Sequence, residues 1–507
     1  MTTINRDDYS LFSCFDSNKK SDCKKIKVIL DEVISIISEV YNITYDANMQ
    51  IGLFDMQEIN EFLIALGIIS DISECDQLQK IAGKDYDRYI CILSKYLKRE
   101  EQVIEPLQQY MDKYRKQKVE DYLSSTQLTV VDFFCGAGGM SLGFTQNGFK
   151  TLLANDIETV CTDTYSLNHP EVPRSRIVTG DIKQVVNNIG TKVTERVDVI
   201  IGGPPCQGFS NANRQRIIDD PRNVLYKYYV EAIKQLQPKM VVMENVKGML
   251  SVAEQVQQDF SDINYEVAFR VFNAKDFGVP QNRERLIYIG IRKDLLSNTV
   301  NPSEIIEEIQ RNNDEEEKFT LIDAIGDLPK LEALKEKNAT ELETKESGKK
   351  IMYNPLQVGN TYLKLINRED WNVPILFNHK ARYNNDRDIE IFSRMLPGDK
   401  SDSERIADIM PYTSRSHMFK DKYFKLLPNE VSKTITAHMK FDCNMYIHPN
   451  QARGLTPREA ARVQSYPDNY FFTGAYTKTY MQIGNSVPPL MARGIAKVVK
   501  GKLKEGA

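Results

Sequence analysis

The feature that most constrains the fold is a regular alternation of short apolar segments with helical segments, which starts near residue 128. The apolar segments are short and rich in β-branched residues, and most are typical of strands buried on both faces of a parallel sheet. Strands that alternate with helices predict an α/β chain with a Rossmann-like, mostly parallel, doubly wound sheet. The candidate strands are 128–134, 150–156, 176–182, 197–203, 239–245 and 285–291.

One of the intervening helices illustrates the pattern. Residues 223–238 place Leu225, Tyr229, Ile233 and Leu236 on one face at helical spacing, and Pro238 ends the segment. A helix with a single apolar face is the element that covers a sheet, so this segment supports the same fold.

The first 125 residues lack the alternation and carry a helical pattern instead. Segment 104–123 is polar and amphipathic, and no motif in 1–125 carries recognisable chemistry. We therefore expect a helical accessory domain over residues 1–125. Within 28–40 the apolar residues at helical spacing are Val28, Ile29, Val33, Ile36, Ile37 and Val40.

Beyond residue 300 the rhythm of strands and helices stops. Residues 126–300 thus form the predicted α/β domain, and 301–452 form an irregular region without repeats. Its first part, 303–318, is strongly acidic, which predicts a solvated linker or a helix.

A helical pattern returns in the last segment, 453–507. Thr456 is the expected N-cap of a helix, with Pro457 in its first position and Glu459 three residues beyond the cap. This arrangement is a capping box. The turn at 484–489 precedes the final helix.

Composition limits the class of protein. The chain has 507 residues, a net charge of −4, 41% hydrophobic and 27% charged residues, as is ordinary for a soluble globular protein. No apolar run is long enough to span a membrane, and the N-terminus does not resemble a secretory signal, so we expect a cytoplasmic protein. Eight cysteines without CxxC pairs, and only five histidines, argue against a zinc site and a disulfide framework.

A glycine-rich turn, DFFCGAGG at 132–139, follows the first strand and opens a helix. Glycines at this point let backbone N–H groups approach a ligand at the carboxyl end of the sheet. Asp156 ends the second strand and Asp181 the third, where carboxylates can accept hydrogen bonds from ribose hydroxyls and from an adenine amino group. The spacing is not that of a dinucleotide fingerprint, so these residues predict a nucleoside cofactor without a pyrophosphate.

A cysteine follows the fourth strand, in IIGGPPCQGFS at 200–210. Two prolines fix the backbone before Cys206, and glycines on both sides leave room for a flat ligand. Glu244 and Asn245 end the next strand, and Arg283 and Arg285 enter the one after it. A thiol becomes a useful nucleophile beside positive charge, and a buried carboxyl can act as an acid, so these side chains predict nucleophilic catalysis at this rim.

Taken together, the motifs resemble the ordered motif set of the DNA cytosine-5 methyltransferases, the bacterial type that depends on S-adenosylmethionine. The resemblance covers residues 128–292 and 453–496 in the family's order. The motifs that carry it are DFFCGAGG, GGPPCQGFS, ENV at 244–246, QNRER at 281–285 and QIGNSVPP at 482–489.

The resemblance implies a catalytic role for each residue of the rim. In that family the PPC cysteine, here Cys206, attacks carbon 6 of cytosine, and carbon 5 then takes the methyl group before it loses its proton. Glu244 would stabilise or protonate ring nitrogen 3, and Asn245 would help to position it. Arg285, with Arg283, would contact the cytosine carbonyl and favour the thiolate. The base must be rotated out of the duplex, because a stacked cytosine cannot present carbon 6 to a thiol.

The resemblance also implies a pocket for S-adenosylmethionine. Two positions depart from the family's usual pattern: Asp156 stands where a glutamate is frequent, and Ile157 where an aromatic residue often stacks on adenine. The implied cofactor-binding residues are Phe134, Gly136, Gly138, Gly139, Asp156, Ile157, Asp181, Ile182, Pro205, Leu225, Asn485 and Ser486.

Residues 301–452 occupy the place of the family's variable target-recognition region, and 453–507 would return to the catalytic domain. The resemblance implies duplex DNA as substrate and a modification enzyme of a restriction–modification system, acting as a monomer beside a separate endonuclease. The candidate DNA contacts are Arg382, Arg415, Lys433, His438 and Lys440.

Other functions are compatible with parts of the pattern. The RNA-directed branch of the family would act on tRNA, but a long region at 301–452 favours the reading of several base pairs. A DNA-binding regulator would use residues 1–125. A nicotinamide dehydrogenase lacks a reason for the PPC motif, and amino-group methyltransferases carry an aromatic residue where Cys206 stands.

Overall fold

A seven-stranded sheet forms the centre of the larger of two compact units, and six of its strands correspond to the predicted segments. The structure is a computed structural model that describes residues 10–99, 116–124, 127–205, 224–314, 317–337, 360–367, 376–411, 422–441 and 443–505, with 339, 342, 344 and 346–348. The strands are β1 Thr129–Phe133, β2 Lys150–Asp156, β3 Ile177–Thr179, β4 Val199–Gly202, β5 Met240–Val246, β6 Tyr265–Asn273, β7 Gln281–Asn282, β8 Glu284–Arg292 and β9 Ser432–Lys433.

Helices occupy the intervals between strands and most of both ends of the chain. The helices before the sheet are α1 Leu11–Cys14, α2 Lys20–Val40, α3 Leu53–Ala65, α4 Cys75–Ala82, α5 Tyr86–Leu97 and α6 Lys116–Ser124. Those among its strands are α7 Gly139–Thr145, α8 Thr159–Asn168, α9 Ile182–Asn187, α10 Ile189–Lys192, α11 Val224–Leu236 and α12 Ala253–Asp262. Those that follow are α13 Pro302–Asp314, α14 Leu321–Ile325, α15 Thr361–Ile366, α16 Asp386–Arg394, α17 Pro457–Val463, α18 Tyr476–Asn485 and α19 Pro489–Glu505.

The order of strands in the sheet is β3-β2-β1-β4-β5-β8-β6. The first five pair in parallel, whereas β8 runs antiparallel to both β5 and β6. The predicted α/β fold with a mostly parallel, doubly wound sheet is confirmed. Strand β6 was not predicted. The antiparallel direction of β8 brings its first residues to the edge where β5 ends.

The two faces of the sheet bury separate apolar clusters, because successive residues of a strand point to opposite sides. Val130 lies in one cluster with residues of α7, α13 and α19. Val131 lies in the other with residues of α9, α11 and α12. In α11 the predicted face is largely confirmed, since Tyr229 and Ile233 are fully buried, while Leu225 lies at the edge of the cluster.

The acidic segment after residue 302 forms helix α13 rather than a solvated linker. Ile305 and Ile309 are fully buried in the cluster that covers the sheet, while its carboxylates face outward, for example Glu307 toward Arg270. The predicted capping box of α17 is confirmed. Glu459 N–H bonds Thr456 Oγ1 at 3.1 Å, and Glu459 Oε2 accepts from the Thr456 N–H at 2.7 Å.

The second compact unit takes the described part of Met1–Ser125 together with Pro170–Arg176. Its described N-terminal residues are mainly helical, and its core includes Ile26, Leu30, Ile34 and Ile37 of α2. The predicted stripe was partly wrong, because Val28 is 58% exposed. Helix α2 begins eight residues before Val28, and its buried stripe starts from Ile26. Of segment 104–123, residues 104–115 lie outside the described ranges.

Among the residues that the structure describes, no helix has both the length and the apolar character that a bilayer crossing requires.

Candidate active site

The carboxyl ends of the five parallel strands and the first residues of β8 meet at one edge of the sheet. Arg285 pairs in register with Val246 across the β5–β8 ladder. Glu244 lies two residues before Val246 and therefore on the same face, diagonal to Arg285. The sheet itself thus brings an acidic and a basic side chain together.

Glu244 and Arg285 form an ion pair in which Nε of Arg285 lies 2.7 Å from Oε1 of Glu244. Both side chains are largely buried, with 12% of Glu244 and 15% of Arg285 exposed. Arg285 also donates through Nη1 to the carbonyl of Glu284 at 2.8 Å. A buried charge pair needs good geometry to offset the cost of desolvation. The contact with Arg285 therefore holds the carboxylate of Glu244 in one orientation.

The glycines that precede the two prolines have a role that differs from the expected one. A Cβ atom at Gly203 would lie 2.8 Å from Oε2 of Glu244, and one at Gly202 would lie 2.4 Å from the carbonyl oxygen of Phe133. The sequence suggested that these glycines make room for a flat ligand. In the structure they make room for the carboxylate and for the neighbouring strand.

Asn245 connects the end of β5 with the proline segment. Its Nδ2 donates to the carbonyl of Pro204 at 3.0 Å, and its Oδ1 accepts the N–H of Val246 at 2.9 Å. The side chain is 5% exposed, so the chain is fixed two residues before Cys206. Pro205 is exposed, and Cys206 itself lies outside the described residues, as does the rest of 206–223.

The glycine-rich turn is wound tightly between β1 and α7. Phe134, Gly136 and Gly138 all have positive φ, of 58°, 54° and 87°, a region that residues other than glycine rarely adopt. The N–H of Gly136 donates to Oδ2 of Asp156 at 2.9 Å. Apart from its two chain neighbours, no heavy atom of the described residues lies within 4 Å of where a Cβ of Gly136 would stand, so within that part of the chain this position borders open space.

Gly138 and Gly139 are instead closely packed. A Cβ atom at Gly139 would lie 2.1 Å from Oγ of Ser486, and one at Gly138 would lie 2.8 Å from Nε2 of His169. Ser486 also bonds the hydroxyl of Tyr466 through its Oγ. Because these two glycines lack a side chain, the turn can pack closely against the C-terminal segment. Asn485, which precedes Ser486 at the end of α18, is exposed.

The acidic residues of the predicted cofactor pocket differ in their surroundings. Asp156 accepts from Gly136 and, through Oδ1, from the N–H of Glu158 at 2.8 Å. Burial raises the pKa of its carboxyl, and the two backbone N–H groups oppose that rise. Directly after it, Ile157 is 69% exposed.

Asp181 lies two residues beyond the end of β3, not at its last position. It is the N-cap of α9, where Oδ1 accepts the N–H of Lys183 at 2.9 Å, and it is exposed. Ile182 is buried in the sheet's core. The carboxylate of Asp181 thus caps a helix and also faces solvent at the rim.

Arg283 does not occupy the position that the sequence suggested. The residue is 1% exposed, and its guanidinium donates to the carbonyls of Ile435 at 2.7 Å, Gly484 at 3.0 Å and Ser486 at 2.9 Å. Burial lowers the pKa of this side chain, and the charge of Arg285 adds to the effect. Nη1 and Nη2 are thus committed to backbone carbonyls, while the buried Nε has no hydrogen-bond partner among the described residues. This burial favours a positioning role for Arg283 over contact with a base.

Two glutamines that sequence analysis did not single out complete this junction. Gln281 is fully buried, bonds Gln464 through Nε2, and accepts the N–H of Ile435 at 2.8 Å. Gln464 donates to the carbonyl of Ser486 at 2.7 Å. The QNRER and QIGNSVPP motifs contain two of these partners, but only the fold shows that they meet.

A buried acid lies beneath the glycine-rich turn. Asp132 is 1% exposed and accepts from the hydroxyl of Ser141 at 2.6 Å, which itself accepts from Tyr165 at 2.9 Å. Burial raises the pKa of Asp132 to about 7, and nearby Asp156 adds to the rise.

Of the candidate DNA contacts, several are engaged within the protein. Arg382 donates to the carbonyls of Met439 at 2.9 Å and Phe441 at 3.0 Å. Lys433 lies over the rings of Phe424 and Tyr446, at 5.3 and 5.5 Å from their centroids. His438 packs against Phe441. Arg415 and the side chain of Lys440 lie outside the described part of the chain.

Comparisons with known proteins agree with this arrangement. The family described as C-5 cytosine-specific DNA methylase matches residues 128–501. Type II methyltransferase M.DdeI from Desulfomicrobium norvegicum is 34% identical over 73% of this chain and 88% of its own length. Type II methyltransferase M.AgeI from Thalassovita gelatinovora is 32% identical over 74% of this chain and 99% of its own length.

The solved structures point the same way. A DNA modification methyltransferase encoded within a prophage of E. coli has a TM-score of 0.53 and 27% identity, and the match covers 75% of this chain and 100% of that one. The family match begins at residue 128, so it leaves out the N-terminal helices. The chain belongs to the C-5 cytosine-specific DNA methylase family and is a DNA (cytosine-5-)-methyltransferase.

Proposed function

We propose that this enzyme transfers a methyl group from S-adenosylmethionine to carbon 5 of a cytosine that has been rotated out of duplex DNA, through a covalent intermediate on Cys206. The observation that carries the proposal is the junction of Glu244, Asn245 and Arg285, which anchors the chain two residues before that cysteine. The likeness to type II methyltransferases favours a modification enzyme. The proposal includes a monomer that acts beside a separate restriction endonuclease.

The residues at the rim fit a nucleoside cofactor. Gly136 borders open space, Ile157 offers an exposed apolar surface for a purine, and Asp156 and Asp181 place carboxylates at neighbouring strand ends. Each carboxylate oxygen can accept more than one hydrogen bond, so the two could still accept from ribose hydroxyls and an amino group. When bound, S-adenosylmethionine supplies a methyl group that its sulfonium activates.

The chain's own groups carry the rest of the reaction. The Cys206 thiolate adds to carbon 6 of cytosine, and the electron pair of the 5,6 double bond moves into the ring toward nitrogen 3, where Glu244 stabilises or protonates it. Carbon 5 is then nucleophilic. After methylation it loses its proton to a base from solvent, and the electron pair that this releases expels the Cys206 sulfur.

The ion pair has a defined part in this chemistry. Arg285 holds Oε1 of Glu244 by its Nε, and Oε2 is the oxygen that borders Gly203. A carboxyl fixed in this way is preorganised to bond a ring nitrogen without rearrangement. The remaining N–H groups of Arg285 can donate to the cytosine carbonyl and favour the thiolate.

The direct test uses purified enzyme, S-adenosylmethionine labelled in its methyl group, and unmethylated plasmid DNA or total tRNA as separate substrates. We expect label in 5-methyldeoxycytidine of the DNA after digestion to nucleosides and mass spectrometry. Label in N4-methyldeoxycytidine or N6-methyldeoxyadenosine, or in tRNA alone, would overturn the proposal. Methylome sequencing of a host that expresses the chain then gives the recognition site.

A further inference from the structure

An aromatic ring projects into solvent from the segment that follows β9. Phe441 is 64% exposed, whereas every other phenylalanine whose side chain is described is buried or half-buried. His438 packs edge-on against it, with ring centroids 5.5 Å apart and planes inclined by 71°. A single exposed apolar side chain is common on protein surfaces, so its meaning depends on how it is held.

The segment that carries this ring is tied to the strand that leads to Arg285. Strand β9 pairs in parallel with β7, with Lys433 opposite Asn282. Thr434 donates through its hydroxyl to the carbonyl of Asn282 at 2.6 Å, and Ile435 donates to Gln281 and accepts from Arg283. The backbone that precedes Phe441 is therefore fixed to the catalytic side of the sheet.

The turn itself is held on both sides. It is a 3-10 helix, Ala437–Lys440, with Phe441 as its C-cap and Met439 fully buried beneath it. Arg382 donates to the carbonyls of Met439 and Phe441 and contacts Sγ of Cys443. A Cβ at Gly484 would lie 2.2 Å from the backbone nitrogen of Ala437, so α18 packs directly against the turn.

We propose that Phe441, supported by His438, is a DNA-contacting residue that stacks on a base of the duplex beside the extruded cytosine and stabilises the opened helix. The proposal rests on the base rotation put forward under the proposed function. Aromatic side chains stack on unpaired bases and insert between base steps. A rigidly held turn can present such a ring at low entropic cost.

The sequence of the segment that carries the ring is compatible with DNA. Residues 431–441 contain two lysines and one histidine and no carboxylate, with Glu430 and Asp442 directly outside that stretch. Cations near a stacking residue can neutralise phosphates, which supplies the affinity that does not depend on sequence.

The test compares two substrates for the variants Phe441→Ala and Phe441→Tyr. Once methylome sequencing has given the site, one duplex carries the target cytosine paired with guanine and the other carries it opposite an abasic position. Stacking worth ~1–3 kcal/mol per base predicts a fall in kcat/KM of about 5- to 150-fold for Phe441→Ala on the paired duplex. Phe441→Tyr keeps the ring and is expected to stay within about threefold of wild type.

On the unpaired duplex the loss should nearly disappear, because the guanine that the extruded cytosine leaves unpaired, and on which the ring would stack, is absent from the abasic position. Equal losses on both duplexes, or no loss on the paired one, would overturn the proposal. Val28→Ala, which removes an exposed apolar side chain of the N-terminal unit, is the matched control and should change neither rate. If wild-type enzyme forms no 5-methyldeoxycytidine on either duplex, the proposed function has failed and not the role of Phe441.

Discussion

Nε of Arg285 lies 2.7 Å from Oε1 of Glu244. The other carboxylate oxygen, Oε2, lies so close to residue 203 that only a glycine fits there. The guanidinium of Arg285 and the glycine backbone at residue 203 together restrict the carboxyl of Glu244 to one orientation. This arrangement links the motif at the end of β5 to the motif at the start of β8, and it is where a substrate ring nitrogen would be recognised.

Replacement of this carboxyl by an amide is expected to remove the acid without changing its shape. Glu244→Gln should lower the single-turnover rate of methyl transfer by about 10²- to 10⁴-fold, the range for a positioned acid or base. Cofactor affinity, measured by calorimetry, should change little. Glu284→Gln is the control, since that carboxylate is 47% exposed and pairs with Lys247 at the surface. A rate for Glu244→Gln that matches this control would contradict the assignment.

Arg283 and Arg285 are expected to respond differently to the same substitution. Arg283→Lys leaves buried carbonyls of Ile435, Gly484 and Ser486 short of donors, so the free energy of unfolding should fall by about 2–4 kcal/mol. Arg285→Lys should slow methyl transfer and cost less than about 1 kcal/mol of stability. Urea denaturation and rate measurements on both variants distinguish these outcomes. Normal stability of Arg283→Lys with lost activity would support a base contact instead.

The contact of the glycine-rich turn with the C-terminal segment can be tested by adding a single methyl group to the turn. Gly139→Ala would bring Cβ within 2.1 Å of Oγ of Ser486, and we expect a loss of ~1–3 kcal/mol together with weaker cofactor binding. Gly190→Ala meets no heavy atom within 4 Å, lies in the short helix α10 and should be neutral or slightly stabilising. Thermal denaturation of the pair checks this. Equal melting temperatures would mean that the turn tolerates displacement.

The buried acid beneath the turn predicts a pH dependence of stability. The pKa of Asp132 is about 7 in the folded protein and 3.8 for an ordinary aspartate, so the folded state binds the extra proton between those values. The contribution of Asp132 to stability is therefore present below pH 3.8 and lost as the pH rises through 7. Asp132→Asn lacks this titration.

Relative to wild type, Asp132→Asn should gain up to ~4 kcal/mol in unfolding free energy between pH 4 and pH 8. Urea denaturation of both proteins across that range measures the difference. If the two proteins keep a constant difference at every pH, the carboxyl is not neutralised by burial.

Several elements of the fold could be predicted from local pattern alone. The strand at 150–156 was predicted with its observed bounds, because a short apolar segment between polar and turn residues fits a strand better than a helix. Strand β6 was missed although YEVAFRVFN carries β-branched and aromatic residues, since polar residues interrupt its pattern. The buried stripe of α2 was misplaced because a period fixes spacing but not its starting residue.

For the candidate site, sequence analysis identified the residues more accurately than it identified their contacts. Glu244 and Arg285 were placed at one rim, and they meet there. Arg283 was expected beside the base, yet its partners come from segments about 150 and 200 residues later, and no local signal reveals such contacts. The closeness of Gly203 to Glu244 likewise depends on the pairing of β4 with β5.

The most direct test of a covalent intermediate on Cys206 is trapping on duplex DNA that carries 5-fluorocytosine at the target position, in the presence of S-adenosylmethionine. Fluorine at carbon 5 cannot leave as a proton does, so the enzyme should remain bonded to the base. Mass spectrometry of the digested complex should locate the adduct at Cys206, and Cys206→Ser should form none while it still binds the cofactor. A protein that methylates unsubstituted DNA but yields no adduct, or one that yields it at another residue, would contradict the account.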